Sequence, residues 1–128
     1  MNIFGLGTDI VDIERLKRSI KKNTLLKKRI FSKREILFCE KKKINFSCYS
    51  KRFAAKEAFA KALGTGIAKG IKFNEIELLN NSNGKPYIVL KGKTLRVTKK
   101  IIKKNLFKFF VTLSDEKKYS IATVIITI

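Results

Sequence analysis

The stretch Arg52-Phe-Ala-Ala-Lys-Glu-Ala-Phe-Ala-Lys-Ala-Leu-Gly-Thr-Gly66 sets one carboxylate, Glu57, among alanines and phenylalanines. The cations Arg52, Lys56 and Lys61 flank it, and the run closes on two glycines. On a helix, residues three and four apart stack one turn above the other, so Glu57, Lys61 and Gly64 share a face. A second acid, Asp9, follows Gly5 and Gly7 at the two-residue spacing of a strand, and these three point to one side. The side-chain-free positions beside Asp9 serve either close packing or a ligand. Two carboxylates brought together from a strand and a helix suit Mg²⁺, which takes one or two protein carboxylates and leaves places for water and phosphate. Taken singly, Asp9 also reads as a turn or capping acid, and Glu57 as the i, i+4 partner of Lys61. Spacing alone does not bring the two acids together. Gly64-Thr-Gly66 is too short for a Walker loop. It is a helix C-cap or, with Lys61 nearby, a cradle for a diphosphate.

The chain contains no histidine. That removes the usual general base and any Ser-His or Cys-His dyad, so chemistry must come from carboxylates, lysines or a metal. Cys39 and Cys48 have no partner ligands clustered around them, and the expectation is two neutral, buried thiols with neither a metal nor a disulfide role. The net charge of +20 predicts attraction to polyanions: nucleic acid, an anionic membrane or an acidic protein. Lysine far outnumbers arginine alongside many Ile, Asn and Phe, a pattern that AT-rich coding also produces. A basic RNA-binding protein fits the charge, yet no RNA-reading motif or aromatic pair stands out. A membrane-surface protein using residues 15–28 would have too thin an apolar face for strong insertion. The expectation is therefore no nucleic acid and no membrane partner. No apolar run approaches the ~20 residues of a span, and the N-terminus carries an early acid without a basic leader. A cytoplasmic location is the default.

At 128 residues with a 45% hydrophobic fraction, the chain reads as one soluble domain over residues 1–128. The elements that must position the two acids follow from periodicity. Residues 3–13 read as a strand. A basic helix over 12–22 has Ile13, Leu16 and Ile20 as its apolar stripe. A short apolar segment, 25–30, precedes Ser32-Lys-Arg-Glu35, a capping box opening a helix to about residue 42. Residues 46–63 give the longest helical pattern, stopped by Gly64. Strands over 73–79 and 87–90 flank a turn at Asn83-Gly84. A further amphipathic helix spans 94–104, and 107–113 with 119–128 make a closing hairpin. The order β-α-α-α-β-β-α-β-β predicts an α+β fold with a largely antiparallel sheet and packed helices.

Three blocks in this order, Gly5-Leu-Gly-Thr-Asp-Ile-Val-Asp-Ile-Glu-Arg15, the Arg52 to Gly66 run and Gly84-Lys-Pro86, resemble the small bacterial branch of the 4'-phosphopantetheinyl transferases. The resemblance covers residues 3–126, and its first two blocks are long and specific. It implies the family fold and transfer of 4'-phosphopantetheine from coenzyme A to a serine of apo acyl carrier protein, Mg²⁺-dependent, in fatty acid biosynthesis. Adenosine 3',5'-bisphosphate would be released. By the same resemblance, Asp9 and Glu57 hold Mg²⁺, and Lys61 contacts the coenzyme A diphosphate. Gly64, Thr65 and Gly66 line the coenzyme pocket, and Arg52 faces its nucleotide end, at the 3'-phosphate. Arg15, Arg18 and Lys22 on the first helix dock the acidic carrier. Glu57 or a water held by the metal takes the serine proton. The family forms homotrimers with sites between subunits, so Arg52 and the Ser114 hairpin would serve a neighbour's pocket. One departure stands in Thr112-Leu-Ser-Asp115: aspartate replaces the family's histidine, and an acid there would repel phosphate, although Ser114 remains a ligand contact.

Overall fold

Two glycines decide how closely the chain can assemble. In the computed structural model, which describes residues 1–128, strand β1 (Ile3–Asp12) runs directly into helix α1 (Ile13–Lys22). Helices α2 (Leu26–Ile30), α3 (Lys33–Glu40) and α4 (Phe46–Leu63) follow. A 3₁₀ turn over Phe73–Glu75 leads into β2 (Ile76–Asn80) and β3 (Pro86–Leu90). Helix α5 (Gly92–Ile102) then connects to the hairpin β4 (Lys108–Asp115) and β5 (Tyr119–Thr127). The α+β class and element order are as expected. Every ladder is antiparallel, but the strands form two sheets, β1-β5-β4 and β2-β3. Strand β2 starts three residues later than the sequence predicts, because Phe73–Glu75 wind into the 3₁₀ turn.

Helix α4 is the spine of the molecule. Alanines at 54, 55, 58, 60 and 62 are buried along it with Phe59 and Leu63, so it meets neighbours on nearly every side. On one side lies β1. A Cβ on Gly5 would stand 1.8 Å from the Ala62 carbonyl oxygen, and one on Gly7 1.9 Å from that of Ala58. The space beside these glycines is therefore filled by backbone, and close packing is their role. The inward residues Ala122, Val124 and Ile126 of β5 complete this interface. Its outward face is different. Leu6 and Ile10 of β1, Phe110 of β4 and Ile121 of β5 are all exposed there.

On the other side of α4, Lys56 is fully buried and donates to Glu35 Oε1 at 2.6 Å, to the Phe73 carbonyl at 2.8 Å and to the Ile76 carbonyl. Glu35 also accepts from the backbone of Leu78 at 3.1 Å. The sequence places Lys56 among the cations around Glu57, but it points the opposite way. Its charge is compensated by a buried acid, and removing either partner would leave an unpaired ion in the core. The Ser32–Glu35 capping box forms as predicted, and Glu35 serves both cap and ion pair.

The cysteines depart from expectation. Cys39 lies in the last turn of α3 and Cys48 in the first turn of α4, with 41–45 folding one helix back on the other. Their Cα atoms are 5.6 Å apart and the sulfurs are joined in a disulfide. A nine-residue spacing does not disclose this approach of the two Cα atoms, which falls inside the range a disulfide spans. No helix is long and apolar enough to cross a membrane.

The β1–α4 contact gives a direct test. Gly7→Ala should cost about 3 kcal/mol, the upper end for overpacking, because the atom met is backbone. An unchanged urea midpoint would mean that the helix does not lie on the strand at this distance.

Candidate active site

Strand β1 presents Gly5 to Ala62 and Gly7 to Ala58. The next inward residue, Asp9, therefore comes level with the turn of α4 that carries Glu57. The two acids line one cavity of about 590 Å³, with Arg15 of α1, Arg29 of α2 and Phe53 of α4 also in its wall. Phe53 and Phe73 pack at 5.4 Å between ring centroids and form its apolar side. Lys61, one turn beyond Glu57, reaches across to β1. Its ammonium donates to Asp9 Oδ1 and to the Thr8 carbonyl, each at 2.9 Å. Lys61 thus pairs with Asp9, in place of the helical i, i+4 pairing with Glu57 that spacing also allowed. The Asp9 side chain is 18% exposed and that of Lys61 52%, so solvent and ligands reach this pair. Burial pushes the Glu57 carboxyl above its usual range, the Asp9 charge adds to the shift, and Lys61 partly offsets it. An acid pair with a raised member is an arrangement short of positive charge. No third His, Cys, Asp or Glu joins it. For a divalent ion this donor set fits Mg²⁺, which keeps several positions for water and phosphate.

The glycine turn closes α4 in a left-handed C-cap, with Gly64 at φ 90°. The N–H groups of Gly64, Thr65 and Gly66 all turn inward to the Ala60 carbonyl, at 3.1, 3.2 and 3.2 Å. Of the two readings the sequence leaves open, the C-cap is formed, and these three N–H groups are engaged within it. What the turn offers is a bare surface, since nothing lies within 4 Å of the Cβ positions of Gly64 and Gly66.

Arg52 lies on a different side of α4 and is not brought to Asp9 and Glu57. It is 3% exposed and borders a separate cavity of about 270 Å³ with Phe38, Lys42, Cys48, Lys51 and Asn80. Its guanidinium donates to Asn80 Oδ1 at 2.6 Å and to Cys48 Sγ at 3.4 Å, and stacks 4.4 Å from the Phe38 ring. Its Nε has no partner, and no carboxylate lies within ion-pair distance of it. Burial accordingly pulls its pKa down. Ser114 is exposed on the outward face of β4, opposite Ile121, and lies away from both cavities. Asp115 carries the departure from the family pattern, and Lys51 stands 3.7 Å from it. That contact supplies a counter-charge which the sequence did not reveal.

Arg15, Arg18 and Lys22 project from α1 as exposed cations without ion pairs. Asp12 caps this helix by accepting from the Arg15 backbone at 3.0 Å. Sequence reasoning did not identify Phe38, Asn80 and Lys51 around Arg52, nor Arg29, Phe53 and Phe73 in the larger cavity. Only the Phe53–Arg52 adjacency carried a signal. The others come from elements that meet only on folding.

The model of the 4'-phosphopantetheinyl transferase superfamily matches residues 5–124. A holo-[acyl-carrier-protein] synthase of Pelagibacter ubique is 48% identical over 126 residues, 98% of each chain. Among solved structures, the holo-[acyl-carrier-protein] synthase of Neisseria meningitidis superposes with a TM-score of 0.87 at 33% identity, covering 99% of this chain and 100% of that one. The Helicobacter pylori synthase, solved in complex with coenzyme A, gives 0.80 at 28% identity over 95% and 99% of the two chains.

The carboxyl of Glu57, followed by NMR, should titrate above the ordinary glutamate value of about 4.3. Asp9→Asn should bring its midpoint down and Lys61→Met should raise it. Indifference to both would separate Glu57 from the Asp9–Lys61 pair.

Proposed function

This chain belongs to the 4'-phosphopantetheinyl transferase superfamily, and from that premise we propose that it is the transferase that loads acyl carrier protein for fatty acid synthesis. It takes 4'-phosphopantetheine from coenzyme A and places it on a carrier serine. The observation that carries this reading is the convergence of Asp9 and Glu57 on one cavity, with the half-exposed Lys61 ammonium paired to Asp9. Asp9 and Glu57 would hold Mg²⁺, which when bound neutralises diphosphate charge and orients the phosphate oxygens. The chain's own groups supply the rest.

Phosphoryl transfer needs positioning and charge neutralisation more than covalent help. The serine Oγ attacks the phosphorus bonded to pantetheine. The bond from that phosphorus to the bridging oxygen breaks, and adenosine 3',5'-bisphosphate leaves with the electron pair. Lys61, on its flexible stem, turns from Asp9 to the diphosphate and balances charge on the leaving side. Glu57, which faces the cavity, is the chain's own group for receiving the serine proton. The Phe53–Phe73 wall limits water on one side of the reacting phosphorus. Arg52, with Lys42 and Lys51 around its cavity, provides a cationic setting for the 3'-phosphate. The bare turn at Gly64, Thr65 and Gly66 lets the coenzyme lie close to the backbone.

Arg15, Arg18 and Lys22 give α1 an unpaired positive face for the acidic helix of the carrier, favouring fast and salt-sensitive encounter. The outward sheet face, with Leu6, Ile10, Phe110 and Ile121 exposed, supports a homotrimer in which this face is covered. Ser114 shares that face and would there reach a neighbour's coenzyme. Such a protein works where carrier and coenzyme are made, in the cytoplasm.

Incubation of apo carrier protein with this protein, Mg²⁺ and coenzyme A should add the mass of phosphopantetheine, and a chelator should abolish the gain. Unmodified carrier would refute the assignment. Glu57→Gln should lower turnover roughly 100-fold or more, with the fold retained by circular dichroism; full activity would remove Glu57 from both roles. Arg18→Glu with Lys22→Glu, both outside the Asp9–Glu57 cavity, should raise the carrier KM roughly tenfold and leave the coenzyme A KM nearly unchanged. An unaltered carrier KM would place docking elsewhere.

A further inference from the structure

The Cys39–Cys48 bridge is attached to both walls of the Arg52 cavity. Cys39 follows Phe38, whose ring lies 4.4 Å from the guanidinium. Cys48 is one helical turn before Arg52, and its sulfur accepts from Arg52 Nη1 at 3.4 Å. The third restraint is Asn80, held in turn by its own donation to the Gly84 carbonyl at 2.9 Å. Arg52 is thus buried with no carboxylate paired to it and with Nε unsatisfied. Such a group is prepared for an anion, and its rotamer depends on the walls that the disulfide ties together.

We infer that the Cys39–Cys48 disulfide positions Arg52, so that affinity for a nucleotide bearing a 3'-phosphate depends on the thiol–disulfide state of this pair. The inference rests on the assignment of the Arg52 cavity to the 3'-phosphate end of coenzyme A. In the oxidised form the bond fixes the end of α3 to the start of α4 and keeps the Phe38 ring on the guanidinium. Reduction removes that tie. Two sulfurs no longer bonded must move apart to van der Waals distance in a buried place, where both cysteines are almost wholly enclosed. The Phe38 wall shifts with Cys39.

The chemistry is two-electron exchange with a dithiol. Cys48 borders the cavity, whose lysines and arginine attract a thiolate. The reagent's thiolate attacks Cys48 Sγ, the S–S bond breaks, and Cys39 leaves as a thiolate that takes up a proton. The reagent's second thiolate then closes its own disulfide and releases Cys48. The protein gains two electrons and the dithiol loses two.

The test uses adenosine 3',5'-bisphosphate, which carries the 3'-phosphate but no thiol that could itself exchange. Its binding is measured by calorimetry on the whole chain, oxidised or reduced with dithiothreitol, the state being read from intact mass. Adenosine 5'-monophosphate, lacking the 3'-phosphate, is the comparison ligand. The oxidised protein should bind the bisphosphate roughly three- to tenfold more tightly, the worth of holding one long side chain in its bound rotamer. The monophosphate should differ little between the two states. The double variant Cys39→Ala, Cys48→Ala should bind the bisphosphate like the reduced protein whatever the reagent. Equal bisphosphate affinity in both states overturns the inference, as does an equal change for both ligands, which would mark a general loosening of the fold. Arg52→Lys separates the two readings. If it weakens the bisphosphate while redox state does not, the 3'-phosphate assignment survives and the switch fails. If the bisphosphate ignores both Arg52→Lys and redox state, both readings fail.

Discussion

Helix α4 approaches strand β1 to backbone distance because two successive inward positions of the strand carry no side chain. Much else in the molecule follows from that contact. It fixes the height of α4 along β1 to within a fraction of a turn, since Gly5 and Gly7 each meet a particular carbonyl. It makes the alanines of α4 necessary, because a longer side chain at 58 or 62 would push the helix off the sheet. Asp9 is the next inward residue on the strand. Its meeting with Glu57 and Lys61 is thus set by rigid backbone, the kind of support that holds reacting groups within a fraction of an ångström.

The opposite side of α4 is held by charge. Glu35 and Lys56 lie fully out of water and satisfy one another along with backbone from the 3₁₀ turn and β2. Beside them Glu77 is enclosed by Arg34, Lys91 and Ser32. Burial alone would raise the Glu77 carboxyl, but the hydrogen bonds from these three groups outweigh it and hold it down at about 2. Such pairs add little net stability over an apolar packing. They do fix orientation, because a slipped α4 would strand Lys56 without partners. A hydrophobic contact lets a helix slide; this lock and the glycine contact together do not.

Local order was readily legible in the sequence. The limits of α4, the Ser32–Glu35 box and the Asn83-Gly84 turn are written in neighbouring residues, and the structure returns them. Pairings between distant segments were not. Spacing permits Lys61 to bond Glu57, and only the folded strand shows that it chooses Asp9. Glu35 looks complete as a cap, so nothing local announces its second role with Lys56. The glycines of β1 read equally as packing or as space until the helix carbonyls are in view. The Cys39–Cys48 bond failed for the same reason, since composition says nothing of how α3 turns back on α4. The resemblance to the transferase family linked Asp9 to Glu57 because it carries such long-range pairings implicitly, which periodicity cannot.

Lys61 gives the site a mixed electrical character. Asp9 is answered by a tethered ammonium, Glu57 binds its proton more tightly than an ordinary glutamate, and Arg15 and Arg29 stand in the same wall, so both signs border one cavity. A stray cation meets the arginines and the ammonium there, and a stray anion meets the carboxylates. A ligand that brings both signs at once, a cation already carrying a phosphate, finds a partner of opposite sign for each of its charges. Discrimination of that kind depends less on how strongly the pocket attracts than on which arrivals carry both charges together.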